Sequence, residues 1–257
     1  MEQSLREDRP HPQVLRFTLD DPSTRNALGI GIRAALVDGL QRAAADAECR
    51  VVILAAIGPV FASGSDIRVL AASTPEDVMR PELRAVWSAL LDFPKPLVIA
   101  LNGHALGGGL ELALTGDIIL AARGIRLGSP EPKLGIMPGG GATQRLVRYL
   151  GWHRAMQVLL TAEPVTAETA LAWGLIAEIC DAAELPSRAL KVAEGMAALP
   201  PLALAAIKRV ARDGAALPLR DGLALEAEAF VGVFRTADRQ EGLSAFLDKR
   251  LPRFKGE

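Results

Sequence analysis

Residues 97–117 read LVIALNGHALGGGLELALTGD. Leu97 to Leu101 is an unbroken apolar run of the kind that a strand buried on both faces requires. Asn102-Gly103 marks a turn. Gly107-Gly108-Gly109 opens a helix through Leu114, which Thr115-Gly116-Asp117 ends. The order is buried strand, tight glycine loop, helix N-terminus. Residues 51–67, VVILAAIGPVFASGSDI, have the same shape. Val51 to Ala56 is the apolar run, Gly58-Pro59 breaks it, and Ser63-Gly64-Ser65-Asp66 supplies the capping residues of a helix start. Each start offers backbone N–H groups without intrahelical partners and the positive end of a helix dipole. If the two strands are neighbours, N–H groups from both starts converge on one oxygen, the geometry of an oxyanion hole. Spacing alone favours the plainer reading of these glycines as turn punctuation. Phosphate cradles are less well matched: there is no G-x-x-x-x-G-K-[ST], and GHALGGGLE contains no G-x-G-x-x-G.

Around this pair of segments the chain reads as strands followed by helices. Val14 to Leu19 is a first strand, and Ile30 to Ala45 a helix with apolar residues at Ile32, Leu36 and Leu40. Ile118 to Ala122 is a third apolar run, Ile125 to Gly128 a short strand, and Ala142 to Leu150 a helix. After Pro164 the pattern is almost wholly helical, divided by Pro186, Pro200-Pro201 and Pro218. The reading is an α/β fold with a boundary near Met196, giving a core of residues 1–195 and a helical region of residues 196–257.

Composition narrows the function. The 257 residues carry 29 Lys and Arg against 30 Asp and Glu, so no basic field points to nucleic acid or anionic lipid. Lys249 to Lys255 is the one basic stripe, and it is short. Aromatics are 4% of a chain that is half hydrophobic, so the core must be built from Ala, Leu, Val and Ile. The longest apolar region, Pro96 to Ala122, is interrupted by Asn102, His104, Glu111 and Asp117, which argues against a membrane span. MEQSLREDRPHPQ has no apolar signal core, and Cys49 and Cys180 read as reduced thiols; a cytoplasmic protein is expected. His11, His104 and His153 are scattered, so no metal site is expected. His104 reads as a loop hydrogen-bonder, and Trp87, Trp152 and Trp173 as core or interface residues.

Two glutamates stand in unusual surroundings. Glu111 lies on a helix that is apolar all round and therefore buried, with no Lys or Arg within a turn. A buried carboxylate must be paired, hydrogen-bonded or protonated; an ion pair with a distant Arg is one solution. Glu131 sits between prolines in SPEPKLGIMPGGG, residues 129–141. Alone it reads as a solvated loop carboxylate. Together the two fit a pair that places one water for acid–base chemistry.

These same segments carry a resemblance. FASGSDI (61–67), ALNGHALGGGLELALTGDI (100–118), SPEPKLGIMPGGGATQRL (129–146), AWGLIAEI (172–179) and DRQEGLSAFLDKRLPRF (238–254) resemble, in order, the signatures of the enoyl-CoA hydratase/isomerase, or crotonase, family. The resemblance implies a spiral of ββα units with a C-terminal helical trimerisation region, as trimers or hexamers. It implies acyl-CoA substrates, with the thioester carbonyl held by the N–H groups of Ser65 and Gly108. It places the two catalytic carboxyl groups at Glu111 and Glu131, as in the hydratases of the family. Arg25, Ala27, Leu28, Ala62, Ser63, Asp66, Ile67 and Arg68 resemble the coenzyme A pocket. Phe230 and Lys249 resemble residues that reach the nucleotide end across a subunit boundary. No metal or redox cofactor is implied, because coenzyme A is part of the substrate. Ser65 replaces the commoner Ala, and Ala71 to Pro81, the segment that helps line the acyl site, matches nothing firmly. An isomerase or a specialised dehydratase of the same fold, such as a carnitinyl-CoA dehydratase, is the alternative reading; a non-catalytic or RNA-binding homologue would need lost glutamates or a longer basic stripe.

Overall fold

The structure, a computed structural model, describes residues 5–257; residues 1–4, the first part of the charged N-terminal stretch, lie outside it. A hairpin of β1 (Leu5–His11) and β2 (Val14–Leu19) leads into α1 (Ile30–Ala45). Three ββ units follow. The first is β3 (Val51–Ala56) and β4 (Val60–Ala62), with α2 (Ile67–Ala72), α3 (Pro75–Val78) and α4 (Pro81–Asp92) behind them. The second is β5 (Leu97–Leu101), β6 (His104–Leu106) and α5 (Gly108–Ala113). The third is β7 (Ile118–Ala122) and β8 (Arg126–Gly128), then a 3-10 turn at Glu131–Leu134, α6 (Ala142–Leu150) and α7 (Trp152–Thr161). The chain ends with β9 (Val165–Thr166), α8 (Ala167–Ala172), β10 (Glu178–Cys180), α9 (Leu185–Ala197), α10 (Pro201–Gly214), α11 (Leu219–Phe234) and α12 (Ala237–Leu247).

Each ββ unit gives its first strand to one sheet and its second to another. The large sheet has the order β1-β2-β3-β5-β7-β10 and the small one β4-β6-β8-β9. Within the large sheet β2, β3, β5, β7 and β10 run parallel, with Ile53 beside Val98 and Ile99 beside Ile119. In the small sheet β4, β6 and β8 are parallel neighbours. The apolar runs are therefore the central strands, and the aliphatic core expected from composition is present: among the described residues Phe17, Phe61 and Phe93 are its only fully buried rings, set in Leu, Ile, Val and Ala. The result is a mixed α/β fold with a helical C-terminal region, as the resemblance implies.

Several local readings are corrected. Val14–Leu19 is the second strand, because the charged segment before it pairs as β1. Its polar residues and Pro10 suit an edge strand, and Asp8 accepts two hydrogen bonds from Arg16 at 2.8 and 2.6 Å. β4 and β6 replace what reads as loop; three residues are too few for a period to register. The region after Pro164 is almost wholly helical, as read, with two short strands, β9 and β10, that extend the two sheets. Pro186 marks a segment boundary as read, lying in the first turn of α9, where its missing N–H costs nothing. The expected division after residue 195 falls in the last turn of α9. Both cysteines are free thiols. Among the described residues no single helix is long and apolar enough to cross a membrane.

Candidate active site

The small sheet explains how distant segments meet. Its parallel strands β4, β6 and β8 end at Ala62, Leu106 and Gly128, so their C-terminal ends lie side by side. Ser65, Gly108 and Glu131 come two or three residues beyond those ends. Gly64 and Gly108 are in backbone contact. Gly64 has φ +88°, and a β-carbon there would stand 2.8 Å from the Gly108 nitrogen, so both the conformation and the space require glycine. A β-carbon at Gly108 would lie 3.7 Å from the Ser65 nitrogen. The two backbone donors named from the sequence are thus neighbours. Among the described residues neither donates its N–H to another backbone group of the chain.

Glu111 is on α5, one turn from its start, and only 3% exposed. The distant ion pair considered for it is not how its burial is balanced. Instead its Oε1 accepts N–H bonds from Gly140 at 2.7 Å and Ala142 at 3.0 Å, at the N-terminus of α6, where the helix dipole also favours an anion. Burial raises the Glu111 pKa above the ordinary carboxylate value; the two N–H contacts oppose the rise and the nearby Glu131 charge adds to it. Its Oε2 faces Gly140, where a β-carbon would stand 2.7 Å away.

Glu131 is not the solvated loop carboxylate that its flanking prolines suggest when read alone. It is 9% exposed, at the start of the 3-10 turn. Ser129 Oγ donates to its Oε2 at 2.8 Å, while its Oε1 faces Gly107, 3.1 Å from where a β-carbon would be. Each carboxyl group therefore has one oxygen held by the protein and one without a hydrogen-bond partner. Among the described residues the only fully enclosed, unpartnered side-chain oxygen is Asn102 Oδ1, so the two free carboxylate oxygens both reach accessible space.

The chain also matches known proteins over most of its length. The family model described as enoyl-CoA hydratase/isomerase matches residues 10–257. The chain belongs to this family. A 2,3-dehydroadipyl-CoA hydratase of Escherichia coli K12 is 42% identical over 95% of this chain and 96% of its own length. A mitochondrial enoyl-CoA hydratase of Pongo abelii is 34% identical over 93% and 82%. The crystal structure of an enoyl-CoA hydratase from Bacillus anthracis superposes with a TM-score of 0.96 at 35% identity, covering 99% of this chain and 100% of that one.

The other residues that the family signatures suggest divide into two groups. Residues 25–28 and 62–65 run beside each other: Ser63 N–H donates to Arg25 O at 3.1 Å and Leu28 N–H to Gly64 O at 2.7 Å. Ala27, Leu28 and Ala62 are buried in that seam. Asp66 caps α2 through the Arg68 N–H at 2.8 Å, and Ile67 and Arg68 are exposed on the first turn. Arg25 has φ +58° with its side chain exposed. Phe230 and Lys249 form the second group. Phe230 is 66% exposed on α11, which packs on α10, and among the described residues the ring paired with its own is Phe234, at 5.7 Å between centroids. Lys249 follows α12 and is exposed. Within their own chain these two are not brought to the carboxyl groups by any hydrogen bond or ring contact among the described residues.

Sequence reasoning missed two neighbours of the site. Arg33 is 6% exposed and stacks over Trp87, 5.4 Å from the ring centroid. Trp87 in turn packs against Gly140 beside Glu111, so it is a wall of the site as well as a core residue. The signal for Arg33 was available: it lies three residues before Leu36 and seven before Leu40, a charge on the buried face of α1. His104 behaves as read, its Nδ1 accepting the Arg126 N–H at 3.0 Å.

Proposed function

We propose that this protein adds water across the C2=C3 double bond of a 2-enoyl-CoA thioester. The observation that carries this reading is the pair of buried carboxyl groups, Glu111 and Glu131. They come from different ββ units, each with one oxygen held and one free, beside two adjacent backbone donors. In this mechanism the Ser65 and Gly108 N–H groups hold the thioester oxygen. The two free carboxylate oxygens hold a water between them. Its oxygen bonds to C3, the π electrons of the double bond move toward the thioester oxygen, and a proton is delivered to C2 as they return. The hydroxyacyl-CoA product contains all the atoms of substrate and water, so no redox partner or metal is required. Coenzyme A enters as part of the substrate. Arg25, Arg68 and Lys249 are suited to its phosphates.

The test is a panel of acyl-CoA thioesters. Crotonyl-CoA and longer 2-enoyl-CoAs are expected to gain water, and 3-enoyl-CoAs to turn over far more slowly. Double-bond migration without water addition would overturn the reading in favour of an isomerase. The E. coli relative acts, by its name, on a dehydroadipyl-CoA, which earns a 2-enoyl-CoA ending in a carboxylate a place in the panel.

The same reading includes assembly. Leu219, Phe230, Phe246, Leu247 and Leu251 expose between 66% and 88% of their surface on and after the C-terminal helices, a large apolar area for one chain to leave in water. Sedimentation is expected to show a trimer or hexamer, with Phe230 and Lys249 serving a neighbouring subunit. A fully active monomer would contradict this.

A further inference from the structure

Arg33 is a buried cation with no carboxylate in hydrogen-bond contact among the described residues. Its Nε donates to Leu28 O at 2.7 Å, its Nη1 to Leu83 O at 2.6 Å and its Nη2 to Ser65 Oγ at 3.2 Å. Burial pushes the guanidinium down from its usual value, and the Glu111 charge opposes that push. Such a group is costly to keep unless the geometry it enforces is needed.

The bonds converge on one peptide unit. The N–H assigned as an oxyanion donor belongs to the Gly64–Ser65 peptide. The carbonyl of that peptide accepts the Leu28 N–H at 2.7 Å. In a trans peptide the carbonyl and the N–H point in opposite directions. No cis bond occurs among the described residues, so holding Gly64 O fixes the direction of Ser65 N–H. Arg33 grips both sides of this arrangement. It holds the Leu28 carbonyl, one residue's backbone away from the bond to Gly64, and the Ser65 side chain. Its own position is set by Leu83 and by the Trp87 ring, both on α4.

We propose that Arg33 is a positioning residue that aims the Ser65 N–H at the thioester oxygen, by locking the Leu28 and Ser65 segments into one hydrogen-bonded frame. The proposal rests on the oxyanion role given above to Ser65. It explains why a fork-shaped donor occupies this buried point of α1, where an aliphatic residue would fill the same face at lower cost.

The experiment reads polarisation of the carbonyl and turnover separately. The probe is butyryl-CoA labelled with carbon-13 at the thioester carbonyl, a saturated ligand that cannot be hydrated. In the wild type its carbonyl infrared stretch is expected to move to lower frequency on binding. In Arg33→Met much of that displacement is lost. With the best enoyl-CoA, kcat falls roughly tenfold or more, as misalignment of a reacting group allows, while KM changes much less. Arg33→Lys keeps the charge but cannot span three acceptors, so it loses kcat and the infrared displacement in part. An unchanged stretch and kcat in a folded Arg33→Met overturn the proposal. If that variant does not fold, an unchanged stretch in Arg33→Lys overturns it. A wild type that polarises the carbonyl but hydrates no enoyl-CoA refutes the hydratase reading and leaves Arg33 its role. A wild type that binds the probe without polarising it, or does not bind it, removes the oxyanion assignment and the role of Arg33 with it.

Discussion

Glu111→Gln and Glu131→Gln are each expected to lower kcat by about two orders of magnitude or more, the contribution of a positioned acid–base group, with acyl-CoA binding little changed. Glutamine keeps the size of the side chain and an oxygen that accepts the N–H bonds of Gly140 and Ala142, or the Ser129 hydroxyl. What it loses is the ability to take up and release a proton. Near wild-type hydration by either variant would remove that residue from the mechanism. Glu111→Gln has a second consequence with a defined sign. The Glu111 pKa is raised in the folded protein, so the native state binds its proton more readily than the unfolded chain does. That stabilising contribution is complete below the unfolded pKa of a glutamate and is lost as pH rises through the folded one. At pH above that folded pKa the wild type carries a buried ionised carboxylate. Glu111→Gln is expected to melt at a higher temperature there, by about 2 to 4 °C for each kcal/mol recovered. The advantage should shrink as pH falls into the ordinary carboxylate range. A less active variant that is also less stable across the whole pH range would point to damaged packing instead.

The second large effect concerns the backbone. Ser65→Pro removes the N–H and fixes φ, and kcat is expected to fall roughly a hundredfold to a thousandfold, the loss of one oxyanion donor. Ser65→Ala leaves the N–H in place and removes only the hydroxyl that accepts from Arg33 at 3.2 Å. Two other bonds of the frame remain, Arg33 to Leu28 O and Leu28 to Gly64 O, so most activity should survive. The pair of variants separates backbone from side-chain chemistry. A thousandfold drop in Ser65→Ala with an intact melt would make the serine hydroxyl a chemical participant. Gly108→Val is a weaker probe of the same site: its β-carbon would sit 3.2 Å from Gly64 Cα, so it disturbs the donor loop as well as crowding the ligand.

The sequence was legible where local chemistry is unusual. Glu111 declares itself by lying in an apolar helix, and the glycines before it mark a backbone that something approaches closely. Glu131 declares itself less: its flanking prolines draw notice, but alone it reads as a solvated carboxylate, because its burial depends on β8 ending beside β6 and on Ser129 turning inward. The same limit hid β4 and β6. These three-residue strands have no period of their own and form because the larger sheet holds β3, β5 and β7 parallel. β1 was hidden for the opposite reason, since an edge strand tolerates the charges and proline that argue against a buried one. Arg33 shows a readable signal passed over, a charge in line with Leu36 and Leu40. Its partners Leu28, Ser65 and Leu83, however, come from three separate segments that only the fold assembles.

The most direct test of the central claim is the fate of solvent atoms. Crotonyl-CoA incubated with the protein in oxygen-18-labelled heavy water should yield 3-hydroxybutyryl-CoA with labelled oxygen at C3 and one deuterium at C2. The Glu111→Gln, Glu131→Gln double variant, folded and able to bind the thioester, should form almost none. Label at C3 at an undiminished rate in that double variant would contradict the account, as would deuterium uptake by the wild type with no oxygen gained.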